Sequence, residues 1–347
     1  MPVKPALQVL ATLLLAGVAA QVCLALHTPL PWMIGPMLAT AAASMLGAPT
    51  RSALPLRHGG QWVIGAALGL YFTPAVMALL WGYAWAIALG VVWAFGLSWG
   101  FARFLAWTPA GAGLTPSTLY FSSAIGAASE MTLMAEKHGA QTDLVAAAHS
   151  LRVLLVSLVI PFGLQWSGLH GVDASLPGPR TVQWAGLLAL GGLTGMGCLA
   201  MLWARRTNPW FIGALGMAIG LTASGVELSA IPSGLTAAAQ LVIGISLGVR
   251  FTPDFARHAP RWLLAVGVGS LGMVVLSAGF AWGLAWLTGL HPATALLATA
   301  PGGIAEMSIT AKVLQLGVPV VTAFQVTRLA AVLLLTEPVY RWRGLSA

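Results

Sequence analysis

Residues 300–307 read APGGIAEM, which places a proline and two glycines immediately before a carboxylate. The surrounding segment is apolar, and a charge within an apolar segment is costly and therefore usually functional or tightly paired. The end of this stretch, GIAEM, has a counterpart earlier in the chain, AASEM at residues 127–131. Proline and paired glycines interrupt a helix. We therefore predict a helix break before each carboxylate, at Gly126 in the first copy and at Pro301, Gly302 and Gly303 in the second.

The two stretches belong to a repeat that extends over the whole chain. Arg152 returns as Arg328, and 328 − 152 = 176 is also the separation of the two carboxylates. We therefore predict two copies of one membrane unit, residues 1–176 and 177–347. Further motifs recur in the same order, namely PWMIG at 31–35 with PWFIG at 209–213, and QWVIG…FTP at 61–74 with QLVIG…FTP at 240–253.

The composition is that of an integral membrane protein. Of the 347 residues, 58% are hydrophobic and only 7% are charged, whereas a soluble domain carries roughly 25% charged residues. No Asp, Glu, Lys or Arg lies between Lys4 and Arg51 or between Arg57 and Arg103, and a crossing helix needs roughly 20 residues. The net charge is +8, but the basic residues are scattered in short loops. This scatter is typical of membrane orientation and gives no basic stripe for nucleic acid.

Each copy contains six apolar segments, and we predict an all-α membrane fold from them. The fifth segments, Ser117–Lys137 and Thr294–Val313, contain the carboxylates and the breaks, so we expect a broken or re-entrant helix in each. Five crossings would then remain per copy, and an odd number inverts the second copy relative to the first. With both termini in the cytoplasm, this arrangement of ten crossings puts most lysines and arginines inside. The last segments are predicted at Asp143–Trp166 and Val318–Tyr340.

The repeated charges are the candidate functional residues. Glu130 and Glu306 each follow a helix break, where the helix N-terminus favours the ionised form while burial opposes it. Such a carboxylate can bind and release a proton or hold a sodium ion. Arg152 and Arg328 stay charged, so they can pair with a carboxylate or bind an anionic solute. His149 precedes Arg152 by one helical turn and adds a titrating group in one copy only, since its counterpart is Gln325.

Structural roles are the alternative for most of these residues. The glutamates and arginines can form ion pairs that pin the fifth segment to the last helix, and His149 can be a satisfied core histidine. Four glycines spaced small-xxx-small indicate helix-packing faces. Histidines with the spacing of metal ligands do not occur, so we predict no metal site, no cofactor, no catalytic residues and no enzymatic activity. The four packing glycines are Gly65, Gly69, Gly244 and Gly248.

The motifs PWxIG, QxxIGxxxG…FTP and the EM-containing fifth segment resemble the AbrB-like bacterial membrane proteins, in which this duplication is typical. The resemblance covers essentially the whole chain and implies a multi-pass protein of the bacterial inner membrane. Members are labelled regulators of gene expression or, in older usage, ammonia monooxygenases. No segment of the chain matches the small basic β-rich domain of the DNA-binding regulator that shares the name, and an oxygenase needs clustered metal ligands.

These observations lead to one principal functional hypothesis. We expect a secondary transporter of a small solute, coupled to protons or sodium, because inverted repeats with broken helices are the construction of many such transporters. The alternative is a membrane regulator or sensor of the AbrB family that affects gene expression without binding DNA. The expected partners are the lipid bilayer, the solute or ion, and in a homodimer a second copy of the chain.

Overall fold

The structure is a computed structural model that describes residues 5–169, 171, 181–206, 208–253 and 260–342, apart from the side chain of Ser129. The described part of the chain contains 15 helices and no strand, which confirms the all-α prediction. The predicted junction between residues 176 and 177 lies outside the described residues. The first eight helices are α1 (Pro5–Ala25), α2 (Pro31–Met45), α3 (Leu54–Gly69), α4 (Pro74–Gly82), α5 (Ala84–Trp107), α6 (Pro116–Ser123), α7 (Ala128–Lys137) and α8 (Thr142–Trp166). The others are α9 (Trp184–Trp203), α10 (Pro209–Ala223), α11 (Ser233–Gly248), α12 (Pro260–Thr288), α13 (Pro292–Thr299), α14 (Ile304–Val313) and α15 (Val318–Trp342).

The helix boundaries recur along the chain with nearly constant offsets. Helices α6, α7 and α8 precede α13, α14 and α15 by one fixed offset at both ends, since 292 − 116 and 342 − 166 both equal 176. For α2 and α10 the offset is 209 − 31 = 178, and for α3 and α11 it is 233 − 54 = 179. The copies therefore correspond in their local structure as well as in their motifs. The division into domains 1–176 and 177–347 remains a prediction from the sequence.

Left-handed backbone also recurs at equivalent positions. His27 and Leu30 have φ of 52° and 47°, and their counterparts Arg205 and Asn208 have φ of 50° and 48°. Both pairs have the offset of α2 and α10, because 205 − 27 and 208 − 30 equal 178. This conformation is uncommon for residues other than glycine. Its return at the same two places before α2 and α10 shows that the turn leading into the PW motif is a fixed feature of the unit.

Six described helices are long and apolar enough to cross a membrane by themselves. Helices α3 and α4 meet the same test as one broken span with a bend of 83°. Helices α2, α10 and α11 have only 15 or 16 residues, so their crossing and the total of ten remain predictions. The six long helices are α1, α5, α8, α9, α12 and α15.

The chain divides into two compact units, and each contains helices from both repeats. In the first unit, α3 packs on α10 and α11 packs on α2, so each contact joins one repeat to the other. The first unit comprises Met1–Trp81, Val172–Pro253 and Gly317–Pro319, and the second comprises Gly82–Gly171, Asp254–Leu316 and Val320–Ala347.

The predicted packing glycines lie on these crossed contacts of the first unit. A Cβ atom on Gly65 would overlap the carbonyl oxygen of Phe211 on α10. A Cβ atom on Gly244 would overlap the carbonyl oxygen of Met33 on α2. Gly69 and Gly248 are equally close to the facing helix. Small residues allow helix backbones to approach closely where apolar burial cannot drive association, and this explains why glycine occupies all four positions.

The second unit contains the broken helices and a core built around α5, α8 and α12. Leu97, Phe101 and Leu105 of α5 pack with Trp262 and Val266 of α12, and all five are buried. The Trp262 indole also donates a hydrogen bond of 3.2 Å to the carbonyl of Leu144, in α8. This core fixes α8, from which the charged residues of the candidate site project.

Candidate ion- and solute-binding site

Each predicted fifth segment consists of two short helices separated by an extended break. In the first copy, α6 ends at Ser123 and α7 begins at Ala128, so Gly126 lies within the break. In the second copy, α13 ends at Thr299 and α14 begins at Ile304. Pro301, Gly302 and Gly303 fill that second break. The backbone therefore leaves helical geometry in both copies directly before the carboxylates.

Arg152 closes the C-terminal end of α6. Its side chain is only 2% exposed. Its Nη2 atom donates a hydrogen bond of 2.9 Å to the carbonyl of Ala124, and Nη1 lies 3.4 Å from the carbonyl of Ser123 and 3.5 Å from that of Ser122. The last carbonyls of a helix have no partner within the helix and carry partial negative charge. A buried guanidinium satisfies several of them at once.

His149 completes this arrangement and must be in one tautomer. Nη2 of Arg152 lies 2.8 Å from Nδ1 of His149, and a guanidinium can only donate, so Nδ1 accepts. The hydrogen of the neutral ring is therefore on Nε2, which donates to the carbonyl of Phe121 at 2.9 Å. His149 is fully buried. Its contacts are those of a residue that satisfies the end of α6.

The second copy reproduces the contacts with a different residue. Arg328 donates from Nη1 to the carbonyl of Ala300 at 2.6 Å and from Nη2 to that of Gly302 at 2.7 Å. Gln325 occupies the position of the histidine, and its Nε2 donates to the carbonyl of Leu297 at 2.7 Å. Two of the acceptors correspond between the copies, because 297 − 121 and 300 − 124 both equal 176, whereas among the described contacts Gly302 accepts in the second copy only. A histidine and a glutamine thus make the same backbone contact.

The two arginines lie near each other, and no carboxylate is among their described contacts. Every hydrogen bond described for their guanidinium groups ends on a backbone carbonyl or on His149. Arg328 is close enough to Arg152 for the two positive charges to repel. The Nε atom of each is buried without a hydrogen-bond partner in the described part of the chain. The alternative in which each arginine pairs with the glutamate of its own copy therefore has no described contact in its favour.

The two glutamates occupy the third position of α7 and of α14, but their surroundings differ. Glu306 is 7% exposed, and its carboxylate lies against the backbone of Gly303, the residue that precedes α14. Glu130 is half-buried, and its carboxylate has no hydrogen bond or ion pair within the residues that the structure describes. The structure thus gives two equivalent sequence positions different environments.

A cavity of about 160 Å³ borders the first break. It lies within the second unit, between α5, α6 and α15. Three hydroxyl residues line it together with Ala124, whose carbonyl accepts from Arg152. The Tyr120 hydroxyl donates to the carbonyl of Thr336 at 2.9 Å, and the Ser98 hydroxyl accepts from the backbone N–H of Ile125 at 3.2 Å. We did not predict these hydroxyl residues from the sequence, although polar side chains in apolar segments were the available signal.

The fold and this site define a membrane-type protein with several apolar helices, in which both fifth segments are interrupted. Residues 32–344 match the family described as "Transition state regulatory protein AbrB", and the chain belongs to that family. It is 26% identical over 336 residues to "Uncharacterized protein YhjN" of Bacillus subtilis, an alignment covering 89% of this chain and 86% of that protein. It is also 26% identical over 330 residues to "Putative regulator AbrB" of Escherichia coli, covering 92% and 91%. The resemblance inferred from the motifs is thereby confirmed.

Substitution of His149 tests its structural role. We expect His149→Gln to remain folded, because Gln325 makes the equivalent contact in the second copy. We expect His149→Leu to lose about 1–3 kcal/mol, since the carbonyl of Phe121 would lose its donor. Thermal unfolding of the purified protein in detergent measures both. Equal stability of the Gln and Leu variants would contradict this assignment.

Proposed function

We propose that this protein is a secondary transporter of a small solute in the bacterial inner membrane, coupled to protons or sodium. The observation that carries the proposal is the pair of breaks, each with a buried arginine on its carbonyls and a carboxylate at the start of the next helix. Irregular backbone in a membrane protein is tolerated where protein or a water-filled cavity surrounds it. Half-helix ends of this kind bind substrates and coupling ions in many transporters.

In this proposal the arginines have mainly a structural role and the glutamates have a binding role. Arg152 and Arg328 hold the breaks open by satisfying their carbonyls, so that the backbone around them keeps one shape. Their charges also favour negative charge nearby, which suits ionised glutamates and solutes with a carboxylate. Glu130 and Glu306 are the candidates for the oxygen ligand of the coupling proton or sodium ion, because hard cations prefer carboxylate oxygen.

The proposed topology is five crossings per repeat, with the second repeat inverted and both termini in the cytoplasm. The positive-inside distribution of the basic residues supports it. The partners are the lipid bilayer and the solute, and the proposed assembly is a homodimer. The proposal includes no enzymatic activity, no cofactor and no nucleic acid.

The proposal predicts cation-driven flux that depends on the glutamates. The purified protein in liposomes would be tested for uptake of radiolabelled lactate, succinate, glutamate and alanine, under an imposed proton or sodium gradient. We expect gradient-driven uptake of at least one of these solutes. The double variant Glu130→Gln/Glu306→Gln should abolish it while still folding by size-exclusion chromatography. No uptake under either gradient, or undiminished uptake in the double variant, would contradict the proposal.

A membrane regulator is the second candidate, and the description of the family and the name of the Escherichia coli relative favour it. A regulator would bind a solute without moving it and would pass the signal to a soluble partner. The same liposomes distinguish the candidates. For a regulator, tryptophan fluorescence would respond to a solute of the panel while no uptake of that solute accompanied the response.

A further inference from the structure

Glu130 and Glu306 are at equivalent positions of the repeat. The residue that immediately precedes the helix, however, is alanine in the first copy and glycine in the second. Counting from the residue that precedes each helix, Glu130 is third after Ala127, and Glu306 is third after Gly303. At this third position a glutamate can reach back to the backbone N–H at the start of its own helix. This geometry is compatible with a serine or threonine at the preceding residue, so the space beside that residue determines which side-chain conformation the glutamate takes.

Gly303 provides this space. A Cβ atom placed on Gly303 would overlap Oε2 of Glu306 and would lie 2.8 Å from its Cδ atom. The backbone of Gly303 has φ −81° and ψ 155°, a conformation that any residue adopts. The glycine therefore leaves the volume that the carboxylate occupies in this conformation, and its backbone freedom is not required.

Ala127 closes the same space in the first copy. Its backbone is also extended, with φ −68° and ψ 131°, so its methyl group points to the place that the Glu306 carboxylate takes in the second copy. In the conformation of Glu306, the Glu130 side chain would overlap this methyl group, so Glu130 takes a different conformation. This agrees with its half-buried side chain and with the lack of any described partner for its carboxylate.

We propose that Glu130 is the carboxylate that exchanges the coupling cation, whereas Glu306 is a positioning residue held against the start of α14. The coupling role of Glu130 rests on the proposed function. The difference in accessibility between the two glutamates does not. A carboxylate packed against the start of its own helix must move away before it can exchange a cation. A carboxylate without protein partners forms its hydrogen bonds with water or binds the cation itself.

Chemical labelling tests the accessibility directly. Dicyclohexylcarbodiimide reacts with protonated carboxyl groups in apolar surroundings, and mass spectrometry of the full-length protein locates the adducts. We expect Glu130 to be labelled about tenfold faster than Glu306, a ratio that corresponds to about 1.4 kcal/mol. Equal rates for the two residues would overturn the proposal.

Exchanging the two preceding residues provides matched variants. Gly303→Ala should raise the labelling of Glu306 to that of Glu130, because the methyl group displaces the carboxylate. Ala127→Gly should lower the labelling of Glu130 and carries no risk of a clash, so it decides the matter if Gly303→Ala does not fold. Unchanged labelling of Glu130 in Ala127→Gly would overturn the assignment of its accessibility to Ala127.

Measurements of solute flux in two variants test which glutamate has the coupling role. In Glu130→Gln the ratio of solute flux with and without the cation gradient should fall to unity, whereas Glu306→Gln should keep the wild-type ratio even where its total flux is lower. The opposite pattern would overturn the proposal. If the wild-type protein shows no solute flux but Glu130 is still labelled faster than Glu306, the proposed transport is refuted and the difference in accessibility stands.

Discussion

Replacement of Arg152 by leucine is expected to prevent stable folding. The substitution leaves the carbonyls of Ser122, Ser123 and Ala124 buried without their donor. Each buried group that loses its partner costs about 1–3 kcal/mol, and the whole folded state is worth only about 5–15 kcal/mol. The variant should therefore aggregate or elute in the void volume when its extraction in mild detergent is followed by fluorescence-detected size-exclusion chromatography.

Two variants serve as controls for this prediction, one that keeps the charge at the same position and one that removes an exposed arginine. Arg152→Lys keeps the charge but has one nitrogen, so it cannot span the separate carbonyls and should rescue folding only in part. Arg103→Leu removes an exposed arginine, whose described contact is with the face of Trp99 at 5.9 Å, and should elute like the wild-type protein. Full rescue by lysine would show that charge alone matters and would contradict the capping role.

Cysteines at equivalent positions of the two repeats are expected to react from opposite sides of the membrane. Leu46 and Ser224 follow α2 and α10 at equivalent places, since 224 − 46 = 178, and both side chains are exposed. In a background with Cys23 and Cys198 replaced by alanine, each single cysteine would be treated with an impermeant maleimide in right-side-out and inside-out vesicles. If the repeats are inverted, one cysteine reacts only in the first preparation and the other only in the second.

A second pair of positions tests the same topology independently. Trp166 and Trp342 are the equivalent last residues of α8 and α15, and they are 94% and 86% exposed. Their cysteine variants should also react from opposite sides. Labelling of both members of either pair from one side would mean parallel repeats, and the proposed transport mechanism would lose its topology.

The sequence predicted the local elements closely where a single physical cause determines them. The last segments were predicted at Asp143–Trp166 and Val318–Tyr340, and the helices span Thr142–Trp166 and Val318–Trp342. Long, predominantly apolar runs and the ends of those runs are sufficient for such boundaries. The breaks could likewise be predicted, since glycine and proline act on the backbone of their own segment.

The partners of the charged side chains could not be predicted in the same way. The spacing of Arg152 and Glu130 suggested an ion pair, but the described contacts of the arginine are carbonyls of α6 and His149. A guanidinium satisfies either kind of acceptor, and only the three-dimensional arrangement determines which one it meets. The difference between Ala127 and Gly303 was visible in the sequence, yet its meaning depends on the direction of the Glu306 side chain.

The crossed packing of the first unit has a consequence for biosynthesis. The glycine face of α3 is covered by α10, and Gly65 meets Phe211, which the ribosome adds much later because 211 − 65 = 146. At roughly 5–20 residues per second, that delay is on the order of 7–30 seconds. During this time α3 is already made, while the helix that will cover it does not yet exist. The nascent first half therefore depends on lipid or the insertion machinery to shield this face, and truncation before α10 should yield a product that the cell degrades.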